Sequence, residues 1–383
     1  MSRRGVIVMT SLGTMMIFVT IGSALLIRSL HESQISTISR DSQGALFLAE
    51  ASVDRAIMGL RNGCDDNGDT LCDGVDVAAM LNGTYWAEVT PDQGDPLAFM
   101  VTGHGLSDAQ QRNLAVLAKL IPYSVFQFAL FGSASVSIKG DAVTDSYDSR
   151  SGSYDPSAAG DDGDVGTNAA YAGAIEISGS IKVNGQIAVG EGVVDPSTVV
   201  YIAGGSATIT GEPPMVAQTT NLLMPPANPP VGIPCEDRTI NAAEVVALPA
   251  GEYCFRQLRV QGGGTLTTDG SGQVKIYIVE SFTATGNTMI GVESDPSQLL
   301  MVLTTASDAT ITGDLIGSTR FYGGIYSPTG SVDISGNAEI FGSVIARDVE
   351  ISGNAQIHYD EAVGALTDPV GVYQVGILSW REQ

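Results

Sequence analysis

Lysine is scarce in this chain, and acidic residues far outnumber basic ones. The 383 residues include 18 Lys and Arg against 42 Asp and Glu, for a formal net charge of -24. Residues 1–60 carry five basic and four acidic residues, which leaves 13 basic against 38 acidic residues in the rest of the chain. A surface with this charge repels phosphate backbones, so the composition argues against nucleic acid as a partner.

Aromatic residues and histidines are also few, whereas glycine occurs 46 times. This composition favours turn-dense β structure over a helical bundle. His31, His104 and His358 are isolated along the sequence, and no nucleophile elbow, phosphate-binding loop or HExxH zinc motif occurs. We therefore expect a protein that is not an enzyme.

Only four cysteines occur, and they lie in two sequence-local pairs, Cys64 with Cys72 and Cys235 with Cys254. Four cysteines allow three pairings, of which the local one is the simplest. A zinc site is not expected, because the CxxC spacing that such sites use is absent. Disulfides indicate an oxidising compartment, the periplasm or the cell exterior.

The chain has one long uncharged run, Val6 to Ile27, which follows Arg3 and Arg4. Because about 20 apolar residues cross a bilayer as a helix, the run predicts a transmembrane helix with its N-terminal end in the cytoplasm. From Ser29 to Leu60 apolar residues recur at spacings of three and four, which predicts an amphipathic helix. The two stretches predict one helix over residues 6–61, roughly 80 Å long at 1.5 Å per residue.

The N-terminal region resembles the type IV pilin-like proteins, in particular the PilX-type minor pilins. The features that carry the resemblance are a short basic leader ending at Gly5, the uncharged run, and the segment Ala45-Leu-Phe-Leu-Ala49-Glu50-Ala51-Ser-Val53. It covers about 55 residues closely. Thr10 departs from the pattern of major pilins, which carry a glutamate at this place, so a rare or tip-located subunit fits better than a subunit of the shaft.

The resemblance implies a life cycle and a set of partners. A prepilin peptidase would cleave between Gly5 and Val6. The subunit would wait in the inner membrane of a Gram-negative bacterium as a single-pass protein, and would then join an extracellular filament. Its helix, with Thr10, Ala49, Glu50 and Ala51, would pack against other pilins or minor pilins.

Beyond the helix, residues 62–122 predict a small α+β unit, in which Arg112 to Ile121 is preferred as a strand by analogy with the pilin sheet. Residues 123–365 contain short β-branched segments that end in glycine. The clearest repeat sets Val332–Ile340 against Val349–Ile357 with an offset of 17 residues. This length fits one coil of a parallel β-helix, with a β-sandwich as the alternative.

Two segments interrupt or follow the predicted β-helix. Residues 212–234 hold seven of the 16 prolines, which predicts an extended excursion across its surface or between its halves. Residues 366–383 form a tail that either caps the last coil or docks back on the earlier unit. The Gly/Asp/Ser-rich stretch 147–168 is expected to be a solvated, mobile loop.

The stretch between Cys64 and Asp76 offers oxygen ligands in the order that a calcium loop uses. Thr70 stands where such loops have glycine, and the last ligand is an aspartate rather than a bidentate glutamate. The alternative is a polar loop closed by a Cys64–Cys72 disulfide. The calcium hypothesis assigns the ion to Asp65, Asn67, Asp69, Leu71 (through its carbonyl), Asp73 and Asp76.

The fold class predicted from the sequence is α+β to mainly β. It consists of a leader (1–5), a transmembrane and spine helix (6–61), a small pilin-like unit with a disulfide loop (62–122), a parallel β-helix (123–365) and a tail (366–383). The predicted function is that of a minor pilin-like subunit that takes part in assembly or adhesion, its head meeting a surface or glycan ligand. The alternative is a membrane-tethered β-helix protein that binds or cleaves extracellular polysaccharide.

Overall fold

The computed structural model describes residues 3–61, 74–80, 83–108, 110–225, 229–230, 232–304, 312–366 and 373–382. The chain divides into two compact units, which are described separately. Unit 1 comprises residues 1–122 and 373–383, and unit 2 comprises residues 123–372. The described residues are mostly β, with a single long helix.

Helix α1 covers Arg3–Arg61. Its C-terminal part is buried against a sheet through Ala49, Val53, Ala56 and Leu60, which follow one another at spacings of four, three and four. This spacing places them on one face of the helix. The amphipathic pattern in this part of the sequence therefore corresponds to a face that packs inside unit 1.

The sheet of unit 1 is antiparallel, and its strand β3 lies directly under the helix. Gly103 and Gly105 of β3 make this possible, because a Cβ atom at Gly105 would lie 2.0 Å from the carbonyl oxygen of Ala45. The closeness of the helix therefore requires glycine there. The first four strands are β1 (Gly74–Met80), β2 (Gly83–Pro91), β3 (Ala98–Ser107) and β4 (Gln110–Pro122).

The predicted transmembrane helix is not present among the described residues. In none of their helices do length and apolarity reach what crossing a membrane requires. The uncharged run of the described helix, from Phe18 to Ile27, is about half the ~20 residues needed. It ends at Arg28, which pairs with Glu32 at 3.0 Å. The transmembrane part of the predicted fold class and the single-pass inner-membrane location are therefore wrong for the described chain.

Unit 2 is a stack of coils, in which each strand pairs in parallel with a strand one coil away. Isoleucines fill one column of the interior, with Ile334 opposite Ile351 and Ile351 opposite Ile138. Its strands are β5 (Leu130–Gly140), β6 (Val143–Tyr147), β7 (Val165–Gly166), β8 (Ile175–Gly179), β9 (Lys182–Val183), β10 (Ile187–Val189), β11 (Val200–Ile202), β12 (Thr208–Ile209), β13 (Met215–Ala217), β14 (Glu236–Ile240), β15 (Val245–Leu248), β16 (Gly251–Gln261), β17 (Thr265–Thr268), β18 (Val274–Thr285), β19 (Met289–Ile290), β20 (Leu299–Leu303), β21 (Thr312–Gly317), β22 (Arg320–Gly336), β23 (Glu339–Gly353) and β24 (Gln356–Asp360).

Short helices complete unit 2. Helix α2 covers Glu361–Gly364, and the side chain of Asp360 caps it by accepting a hydrogen bond from the amide of Ala362. Three single 3-10 turns lie in the loops, at Ser149–Ser151, Pro196–Thr198 and Pro296–Gln298.

The spatial order of the coils differs from their order in the chain. Strand β5, in the first coil, pairs on one side with β7 and β8 of the second coil and on the other with β23 of the last coil. Leu130 thus lies opposite Val344. The chain enters the stack in its middle, builds outward to β13 at one end, and resumes with β14 at the opposite end.

The proline-rich segment makes this crossing, and we name residues 218–235 the strap. On the face that it covers, ten strands lie in the order β13, β10, β7, β5, β23, β22, β20, β18, β16 and β14. Nine spacings of about 4.8 Å give roughly 43 Å. Eighteen residues in a polyproline-type conformation reach about 56 Å at 3.1 Å each, so the strap can span the stack only if it stays extended.

The last strand, β25 (Tyr373–Glu382), belongs to unit 1. It pairs antiparallel with β4 and forms one edge of the sheet, whose order is β1-β2-β3-β4-β25. The sequence left two positions open for this tail, and the structure places it on the earlier unit.

Candidate functional site

The most distinctive surface of the described chain is on helix α1, between residues 15 and 40. We name this part the distal segment. Each of its described residues is exposed, and its large apolar side chains are 51–74% exposed. These side chains are Met15, Met16, Phe18, Val19, Ile21, Leu25, Leu26, Ile27, Leu30, Ile35 and Ile38.

The apolar residues of the distal segment are distributed around the whole helix. At 100° per residue, Ile21, Leu25, Leu26 and Ile27 already point in widely separated directions. A helix that is apolar all round is normally buried on all sides. The distal segment is therefore suited to contact several neighbours at once.

The predicted helix residues fall into two groups. Ala49 is fully buried against the sheet, Ala51 is half-buried and Glu50 is exposed. Gly5, Val6 and Thr10 lie within the helical backbone of α1, and their side chains are outside the described residues. Cleavage between Gly5 and Val6 stays a prediction.

The calcium hypothesis falls mostly outside the described residues. This applies to Cys64, Cys72 and the ligands from Asp65 to Asp73, while Asp76 lies in strand β1. Within the part of the chain that is described, no group of three or more His, Cys, Asp or Glu side chains has the geometry of a metal site. The calcium loop therefore stays a prediction.

The second cysteine pair forms a disulfide, Cys235–Cys254, with a Cα–Cα distance of 4.5 Å. Cys235 ends the strap and Cys254 lies in β16, near the end of the stack. At the other end of the strap, the side chain of Asn168 bonds both the carbonyl and the amide of Leu222 at 2.8 Å. Between these points Tyr326 donates a hydrogen bond to the carbonyl of Pro225 at 2.6 Å.

Beneath the strap lies an apolar layer outside the main core. It contains Phe131, Leu300 and Tyr326, each fully buried, and Leu222 of the strap. Side chains that point outward from successive coils would be exposed without this cover. The strap therefore gives unit 2 a second apolar layer along one face.

Unit 2 also holds a buried polar cluster that sequence reasoning missed. The Nδ1 atom of His358 lies 2.6 Å from a carboxylate oxygen of Asp145, and Tyr154 donates a hydrogen bond to the other oxygen at 2.7 Å. The ring of Tyr154 lies over that of His358, with 3.8 Å between centroids. His358 and Asp145 are 2% and 4% exposed, so His358 is not isolated as the sequence suggested.

The cluster holds down the loop that was expected to be solvated and mobile. Burial raises the pKa of Tyr154, and its hydrogen bond to Asp145 raises it further. Nearby, Asp360 accepts hydrogen bonds from the amide and hydroxyl of Ser149 at 2.9 and 2.8 Å. Burial is the main cause that raises the pKa of Asp360. The loop after Tyr147 is thus fixed by side chains more than 200 residues away.

One signal for part of this cluster was present in the sequence. Phe341 and His358 occupy equivalent places in the 17-residue repeat, and they lie opposite each other on neighbouring strands. Asp145 lies opposite His358 on the next strand, 213 residues away in the chain. Nothing local marks that pairing, because it depends on the first coil stacking on the last.

The charged faces of the coils are less ordered toward a single site. Asp314, Asp333 and Glu350 lie in one column across three strands, and Glu350 pairs with Lys139 at 2.9 Å. Burial raises the pKa of Asp314 and is the main cause that raises that of Asp333. Arg320, which the sequence analysis did not single out, pairs with Glu339 at 2.8 Å.

Comparison with known proteins gives limited similarity. A family described as "Domain of unknown function (DUF7305)" matches residues 255–366. No curated protein matches the chain.

Two solved structures are similar. The "ice-binding protein_1 DUF3494 Domain" of Shewanella frigidimarina is 16% identical, with a TM-score of 0.36, over 62% of this chain and 98% of that chain. The competence-associated pilin ComZ from Thermus thermophilus is 12% identical, with a TM-score of 0.25, over 89% of this chain and 97% of that chain. The relation to a pilin is therefore weak, and none of these matches supports the PilX type.

Proposed function

We propose that this protein is a minor, pilin-like structural subunit of a type IV pilus or a related filament. The single observation that carries the proposal is the exposure of the distal segment. Its large apolar side chains are 51–74% exposed, on a helix whose C-terminal part is packed by its own sheet. The N-terminal motifs that resemble the PilX type support the same proposal.

Burial of this surface supplies a driving force for assembly. Each large apolar side chain that moves from water into a packed interface stabilises it by roughly 1.5–3 kcal/mol. Because the apolar residues surround the helix, helices from several other subunits must share that burial. A bundle of such helices is the core of a filament, and we propose other pilins or minor pilins as the neighbours.

Unit 2 would serve as the head of this subunit, in assembly or in adhesion to a surface or glycan. Its strap, its disulfide and the buried His358–Asp145 pair make it a rigid body. A rigid head fits a structural role better than catalysis, and we propose that the protein is not an enzyme. Cleavage between Gly5 and Val6 by a prepilin peptidase belongs to this proposal.

The test uses the full chain and a matched pair of variants. Leu26→Lys puts a charge on the distal segment, whereas Val245→Lys puts the same charge on an exposed apolar residue of unit 2. Sedimentation and electron microscopy, with the wild-type chain alone and with co-expressed pilins, measure association. We expect wild type and Val245→Lys to associate and Leu26→Lys to remain monomeric. A wild-type chain that stays monomeric in both settings would overturn the proposal.

A further inference from the structure

We infer that a groove beside strand β25 is the docking site for the distal segment of a second copy of this chain. This inference rests on the proposed function and specifies the contact by which one subunit holds the next. The groove lies within unit 1, between helix α1 and the edge of the sheet. It is lined by Val53 and Ile57 of α1, Leu114 and Val116 of β4, and Ile377 and Trp380 of β25, with Glu50 and Asp54 on its rim.

The floor of the groove is the existing core, and its outer wall is exposed. Val53, Leu114 and Val116 are 3–5% exposed, whereas Ile377 and Trp380 are 58% and 68% exposed. The groove has a volume of about 260 Å³. This is room for one or two large apolar side chains, so the groove accepts projections from a helix rather than a whole helix.

A bulge in β25 creates the exposed wall. Trp380 lies opposite Val116 and Ile377 lies opposite Ala118, so both share the face of the sheet that α1 packs against. In a regular strand, residues three apart point to opposite faces. The register shift between Ile377 and Ser379 brings both side chains to one face. Helix α1 does not cover them, so this end of the sheet leaves an apolar surface open.

The occupant is inferred from a complementary surface on the same chain. The distal segment offers exposed Phe18, Leu25 and Leu26, which are of the size that the groove accepts. Arg28, with a side chain 76% exposed, is the first cation after this apolar run in the described residues. Glu50 and Asp54 are exposed carboxylates on the rim. Apolar projections therefore meet an apolar floor, and the cation meets the acidic rim.

This pairing also sets an axial offset between copies. Arg28 of one copy beside Glu50 of a parallel neighbour shifts the two helices by 22 residues. At 1.5 Å per residue the offset is about 33 Å. Because the site and its occupant lie on different parts of one helix, each copy offers both. The contact is therefore heterologous and extends in one direction without closing on a dimer.

A photocrosslinking residue at position 380 tests the contact in the assembled full chain. The same residue at position 245, an exposed apolar site in unit 2, is the matched control. Mixing isotopically light and heavy copies distinguishes contacts between copies from those within one copy. We expect crosslinks from position 380 to residues 18–30 of another copy, and none to these residues from position 245.

Charge reversal provides an independent measurement of register. We expect Trp380→Ala to weaken association about 10- to 100-fold, as for a central aromatic at an interface. Arg28→Glu should also weaken it, and adding Glu50→Lys and Asp54→Lys should restore it.

Assembly without crosslinks from position 380 to another copy's distal segment, or without rescue by the reversed charges, overturns this inference and leaves the proposed function standing. Failure of the wild-type chain to assemble at all overturns both.

Discussion

Replacing both Cys235 and Cys254 by serine should release the end of the strap from the stack. The disulfide closes a loop with a sequence separation of 19. In the chain-entropy model, a loop of this length stabilises the folded state by about 3 kcal/mol. For a unit of roughly this size, each kcal/mol corresponds to about 2–4 °C in Tm. We therefore expect the Tm of the double variant to fall by about 6–12 °C.

Two measurements together check this reasoning. Urea unfolding followed by near-ultraviolet circular dichroism gives the free energy of unfolding. Hydrogen exchange then shows where the structure has loosened. We expect faster exchange in the strap near Ile233 and unchanged exchange in β23, which lies in the middle of the stack.

The double variant is preferable to chemical reduction, because reduction would also act on Cys64 and Cys72. A fall in the free energy of unfolding below about 1 kcal/mol, with unchanged exchange in the strap, would refute the argument. That result would mean that the apolar layer and the hydrogen bonds of Asn168 and Tyr326 hold the strap without the covalent link.

Two further predictions concern polar groups of unit 2. Burial raises the pKa of Asp333, and the charges of Asp314 and Glu350 raise it further, so the folded chain keeps a proton that the unfolded chain releases above about pH 4. Thermal unfolding should therefore show stability that falls as pH rises above 4, and a fall just as steep in Asp333→Asn would contradict the assignment. Tyr154→Phe removes the hydrogen bond to the buried carboxylate of Asp145, which should cost about 1–3 kcal/mol and speed proteolysis in the loop after Tyr147. Unchanged stability and unchanged cleavage of this variant would show that the aromatic contact alone holds the loop.

Hydropathy alone misjudged the N-terminal helix. The amphipathic spacing around Ala49 and Val53 corresponds to a face that packs on the sheet. The uncharged run was interpreted as a membrane span, and the described helix does not meet that requirement. An apolar run records that a helix avoids water, and it does not record which surroundings replace the water.

The exposed wall of the groove beside β25 has no sequence signature either. Ile377, Leu378 and Trp380 are adjacent apolar residues that any buried strand could contain. The bulge, the edge position and the limited reach of α1 leave them exposed. These are properties of how elements meet, so they could be found only after the sheet was assembled.

The sequence by itself determined the individual coil of this protein. The 17-residue offset sets Ile334 opposite Ile351 and Gly336 opposite Gly353, because equal spacing returns the chain to the same column. Only the tertiary structure decided which coil stacks on which. Nothing near Leu130 specifies Val344 as its neighbour, since every open strand edge of a parallel stack offers similar backbone partners. The choice depends on the extended strap and on side chains, such as His358 and Asp145, that meet only when the first coil lies on the last.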